Sequence, residues 1–159
     1  MATYRRRAGQ TATGKKKNNI RLDTSVIEDM LAELEAMGGN VEKAVIDALG
    51  QAAETVRDDT KEAVKKGNLP AGGKYSTGQT AKSVVTDTTV RKDGSVYWVP
   101  VGFDFDEPGA GGFLISGTPW VEPVPELYKM FVQKRYMRQI QEDIWTVVED
   151  YLEEARKKA

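Results

Sequence analysis

The sequence contains no histidine and no cysteine. Those two absences together remove imidazole general-base catalysis, Ser-His and Cys-His nucleophiles, structural zinc sites and disulfides. Long apolar runs are missing as well: no stretch approaches the ~18 residues of a membrane span, and the mean hydropathy is −0.51. Net charge is nearly absent, since 23 Lys and Arg against 24 Asp and Glu leave −1. Any attraction to nucleic acid therefore has to come from local segregation of charge. At 159 residues, one domain with a tail is the natural size. Arg5-Arg6-Arg7 leads into Ala8-Gly9-Gln10, which is no apolar core for a signal peptide, and Ala2 stands where myristoylation needs glycine. Synthesis in the cytoplasm is the expectation.

Charge is strongly segregated at the N-terminus. Arg5, Arg6, Arg7, Lys15, Lys16, Lys17 and Arg21 precede the first acid, and Ile20 is the one sizeable aliphatic side chain among them except for Met1. So little apolar surface cannot offset the entropy of ordering the segment, which reads as a flexible basic arm over residues 1–22. The single domain, residues 23–159, then opens with Asp23, Glu28, Asp29, Glu33 and Glu35 and no base among them.

Ser25 and Glu28 have capping-box spacing ahead of Ile27, Met30, Leu31 and Leu34, so a short helix over 25–37 is predicted, stopped by Gly38-Gly39. Asn40 can cap a longer helix whose stripe runs Val41, Val45, Leu49, Ala52, Val56, Ala63 and Val64, with alanines that permit close packing. Beyond Pro70 the pattern changes to alternation. Asp93-Gly94 predicts a two-residue hairpin turn between 84–92 and 95–103, with Val90 opposite Tyr97 and Val84 opposite Phe103. One face of that hairpin is largely apolar and should cover the helices. The other carries Arg91, Trp98 and Pro100, whose missing N–H calls for an edge, a bulge or late pairing beside it. Phe113-Leu114-Ile115 is read as a third strand, and Pro125 as the first turn of one long C-terminal helix with Met130, Phe131, Met137, Ile140, Ile144, Val147, Val148 and Tyr151 on its stripe. The fold class is α+β, a small mainly antiparallel sheet against two long helices.

Catalytic motifs fail on inspection. Gly73-Lys74 has Asn68 and Tyr75 where a P-loop needs glycine and a hydroxyl residue. Asp104, Asp106, Glu107 and Gly109 imitate the start of an EF-hand loop, but Pro108 occupies a ligand position and Ile115 replaces the bidentate glutamate. No metal, cofactor or enzyme activity is predicted. The basic arm has three open roles: a solvated tail, docking on the acidic face of a neighbouring copy near Glu28, Asp29, Glu33 and Glu35, or salt-sensitive, sequence-blind contact with nucleic acid. Tyr4 alone cannot form a stacking platform. Trp120 and Trp145 are assigned to the core, whereas Trp98, on the face turned from the helices, is the candidate contact with another chain.

Three motifs in order, Thr77-Gly78 with Ser83, then Val101-Gly102, then Gly117-Thr118 followed by Pro119, Pro123 and Pro125, resemble the tail-completion or neck protein family of long-tailed bacteriophages over roughly residues 27 to 150. Thr80 stands where that family carries leucine. The resemblance implies a non-enzymatic virion protein at the head-tail junction, a hexameric ring of copies of itself beside tail-terminator, tail-tube or head-connector proteins. A ring needs two different complementary surfaces on each subunit. A tail-terminator or head-closure subunit is the nearer alternative, and a nucleic-acid-binding accessory protein using the arm the more distant one.

Overall fold

In a computed structural model, residues 18–23, 28–65, 69, 78–104 and 111–159 are described. Element order is β1 (Asn18–Asp23), α1 (Glu28–Ala36), α2 (Val41–Ala63), α3 (Gln79–Lys82), β2 (Arg91–Asp93), β3 (Val96–Val101), α4 (Gly111–Ser116), α5 (Pro125–Phe131) and α6 (Lys134–Lys158). The α+β class stands: a three-stranded antiparallel sheet in the order β1-β3-β2 carries long helices. No described helix is long and apolar enough to cross a membrane.

Helix α2 starts where the sequence places it. The Asn40 side chain accepts a 2.9 Å hydrogen bond from the Lys43 amide, satisfying one of the orphan donors of the first turn. Ala44, Ala48 and Ala52 recur every fourth residue and are buried, so neighbouring backbone can approach α2 closely. Val45, Leu49 and Val56 join Ile20, Leu22, Tyr97, Val99 and Val101 of the sheet and Ile140, Ile144 and Val148 of α6 in one core. Two tyrosines of α6 tie it to α2: Tyr136 donates to Asp59 at 2.6 Å, and Tyr151 donates to Asp47. Burial, reinforced by Asp59, pushes the Tyr136 phenol above its ordinary range, and the bond to Asp47 does the same for Tyr151. Helix α1 closes the far end through Leu34, packed with Ala44, Leu152 and Ala155.

Four expectations are corrected. Residues 18–22 belong to the sheet and not to the arm: β1 pairs along the whole of β3, with Ile20 opposite Val99 and Leu22 opposite Tyr97. Ile20 and Leu22 are buried on the helix-facing side while Arg21 is exposed, so a period-two pattern with two apolar positions suffices once a core is waiting for it.

The hairpin turn is Gly94-Ser95, so that Lys92 faces Tyr97 and Arg91 faces Trp98. Farther out, Val84 does oppose Phe103, as the sequence predicts. Between these two pairings the 85–90 segment has two residues more than 99–102, and it leaves the ladder. There Asp87 accepts a 3.0 Å bond from the Thr89 amide in an Asx-type turn. The Val85 amide donates to the Gly102 carbonyl at 2.8 Å, which turns the even-numbered residues of β3 toward this side. Pro100 thus presents its missing N–H where the ladder is interrupted, as its chemistry requires.

The 113–115 run is helical, not a strand. A three-residue apolar run has no period of its own. Within α4, Gly111, Leu114 and Ile115 fall on one buried side at helical spacing, and Phe113 and Ser116 point outward. The long C-terminal helix is two helices, broken at Val132-Gln133. In a single straight helix, ten residues at about 100° each would carry Ile140 about 80° round from Met130. The break lets both reach the core, and neither proline nor glycine marks it.

Candidate functional site

The structure inverts the tryptophan assignment. Trp98 is 8% exposed, because β1 fills the outer side of β3 and makes it the central strand. It is flanked in register by Arg21 and Arg91, and the Arg91 guanidinium lies 5.0 Å from its ring centroid. Trp98 is thus no contact surface. Trp145, as expected, packs against the main core. Trp120 is 92% exposed, and Phe113 is exposed nearby in sequence.

Local chemistry holds Trp120 out. Thr118 and Val121 bridge each other across Pro119-Trp120, the Thr118 amide donating to the Val121 carbonyl at 2.8 Å and the Val121 amide returning a bond at 3.3 Å. Proline following the first turn residue presets the backbone. The Thr118 hydroxyl oxygen accepts from the Trp120 and Val121 amides at 3.2 and 3.0 Å, a hydroxyl-capped turn. Two further bonds anchor the turn to α4: the Gly117 amide to the Phe113 carbonyl at 2.7 Å, and the Val124 amide to the Leu114 carbonyl at 2.8 Å. Gly117 has φ 72°, the left-handed conformation that ends a helix, and a Cβ there would lie 2.8 Å from Pro123 Cδ. The turn is therefore preorganised. An indole of about 200 Å² left in water forgoes about 5 kcal/mol of burial on area bookkeeping, a large exposure for one side chain to retain.

Directly after the turn, Glu122, Pro123, Pro125, Tyr128, Lys129 and Gln133 line a cleft of about 390 Å³. Pro125 is there because it opens α5, where its missing N–H costs nothing. The cleft offers flat apolar faces with one acid and one base at its walls. Among the described residues no group of three acidic side chains comes together to hold a metal, and Asp106, Glu107 and Gly109 of the EF-hand-like loop lie outside them.

The other predicted positions are as follows. Arg5, Arg6, Arg7, Lys15, Lys16, Lys17 and Thr77 lie outside the described residues. Arg21 is on β1 beside Trp98. Gly78, at φ 78°, precedes α3 and Ser83 ends it, buried, with its hydroxyl donating to Thr80 at 2.8 Å. Ser83 and Gly102 are brought together: the Asp104 amide donates to the Ser83 carbonyl at 2.6 Å on one side of the Val84-Phe103 pair, and the Val85 amide to Gly102 on the other. Val101 is buried against the helices, and Gly117 and Thr118 form the base of the Trp120 turn. Glu28 and Asp29 occupy the first turn of α1, where they complement the helix dipole. Glu33 is engaged within the chain by Arg156, whose Nη2 is 2.6 Å from Oε1, and Glu35 is exposed.

The sequence signal for the Trp120 turn was its Gly-Thr-Pro opening, a turn signature that weighs against burial of the following aromatic. Compared with protein-family models, with curated proteins and with solved structures, the chain matches none.

Proposed function

We propose that this chain is a structural subunit that works by fitting against other protein subunits, and that its setting is the neck of a long-tailed phage, where a ring of copies completes the tail for joining to the head. The observation that carries the assembly reading is Trp120, 92% exposed on a turn fixed by hydrogen bonds across it and to α4. A large aromatic held rigidly in water at little conformational cost is the usual anchor of a protein interface. The phage setting rests on the resemblance. It is supported by the use this chain makes of the motif residues: Gly78, Gly102 and Gly117 all have positive φ at the edges of helices or strands, and Ser83 and Gly102 flank one bridge. These residues shape the subunit, as a non-enzymatic role asks of them.

The test is electron microscopy of particles from a phage carrying an early stop codon in this reading frame. Filled heads and separate tails are expected, and intact infectious particles would overturn the reading. The nucleic-acid alternative has its own measurement: a linear fall of log affinity with log salt that disappears on deleting residues 1–17.

A further inference from the structure

We propose that Trp120 of one copy seats in the cleft formed by Pro123, Pro125 and Tyr128 of a second copy. This deepens, and rests on, the reading of the chain as a self-assembling subunit. Each molecule then carries both a knob and a hole.

Three observations favour a second copy over any other occupant. The cleft, about 390 Å³, sits near the lower end of ligand-sized sites, which suits one aromatic side chain. Its proline rings and Tyr128 ring offer the flat apolar faces on which an indole packs. The charges also match. Glu122 follows Trp120 by two residues and stands, like Lys129, on the wall of the cleft, and neither forms an ion pair among the described residues. Docking therefore brings Glu122 of one copy to Lys129 of the other. A proline-rich peptide would fill the cleft and leave Trp120 in water, and a bilayer would take Trp120 and leave the cleft empty. A second copy uses both. The contact is small, well below the roughly 800 Å² per partner of a stable dimer, so it is weak in isolation and gains from closure of a larger assembly.

Sedimentation velocity on the full chain from about 10 μM to about 1 mM tests this. Wild-type protein should associate with rising concentration. Trp120→Ala, Tyr128→Ala, Glu122→Lys and Lys129→Glu should each weaken association by at least about tenfold, with unchanged circular dichroism. The double exchange Glu122→Lys with Lys129→Glu should return it to within about threefold of wild type. The contact is overturned by wild-type protein monomeric throughout, by Trp120→Ala associating like wild type, or by a double exchange that restores nothing. Association that persists in Trp120→Ala would sink this contact alone and leave the assembly reading standing, whereas intact particles in the stop-codon experiment would sink the neck reading alone. Binding of wild-type protein, but not Trp120→Ala, to phosphatidylcholine/phosphatidylglycerol vesicles without self-association would also overturn it, in favour of a bilayer.

Discussion

Replacing Gly117 by alanine should cost more than replacing Gly78, and the difference isolates one steric term. Both glycines have nearly the same positive φ, 72° and 78°. An L-residue there pays about 1–2 kcal/mol of backbone strain, partly offset by about 0.4–1 kcal/mol from the stiffer unfolded chain. At Gly78 nothing lies within 4 Å of the added methyl, so the net loss is about 1 kcal/mol. At Gly117 the methyl meets Pro123 Cδ at 2.8 Å and the Val121 carbonyl oxygen at 3.0 Å, neither of them the free end of a flexible side chain. Overpacking of that kind adds about 1–3 kcal/mol, for a total near 2–4. In a chain of this length each kcal/mol moves Tm by about 2–4 °C, so Gly117→Ala should melt about 4–16 °C below wild type and Gly78→Ala about 2–4 °C below it. Calorimetry on the two variants decides the matter. If Gly117→Ala is no less stable than Gly78→Ala, the packing of the Trp120 turn against Pro123 is not what holds it.

Trp98→Ala should destabilise the fold by about 3–5 kcal/mol, as a buried aromatic does, while Trp120→Ala leaves Tm within about 1 °C; urea titrations of the pair test the inverted assignment. Tyr136→Phe and Tyr151→Phe should each lose about 1 kcal/mol, a hydrogen bond to a carboxylate at partly exposed sites, seen as a lower urea midpoint at unchanged slope. Hydrogen bonds from Thr89, with Arg91 adding to them, hold Asp87 below its ordinary 3.8. Because the unfolded chain binds that proton more readily, the advantage of wild type over Asp87→Ala should be full above about pH 5 and fade as pH falls below about 4. A difference that grew toward acid would contradict this sign.

Legibility followed the strength of local signals. Helix α2 was readable because its cap, its stripe and its small residues agree, and each is a short-range property. The apolar hairpin face was readable for the same reason: the two-residue excess at 85–90 slides the tip by an even number of positions, so every side chain that stays in the ladder keeps its face. What failed depends on partners distant in sequence. β1 hides two apolar residues in a basic segment, and Ile20 and Leu22 count as a strand only once Val99 and Tyr97 stand opposite. Trp98 was misplaced as a direct result, since an unseen strand turns an edge into a centre. The α5–α6 break answers to the phase of two stripes against one core, which no single window contains. Trp120 was assigned by residue type to the core, although the turn residues before it argued for exposure.

The pairing of β1 with β3 has a consequence for synthesis. About 73 residues separate Asp23 from Val96, so at 5–20 residues per second the first strand made waits roughly 4–15 s for its partner to emerge. A strand left unpaired that long invites association with other nascent chains. Asn18, Asn19, Arg21 and Asp23 keep most of this one hydrophilic during the interval, and Ile20 and Leu22 are all it has to hide. The same sparseness that concealed β1 from a reader of the sequence shields it from its neighbours on the ribosome.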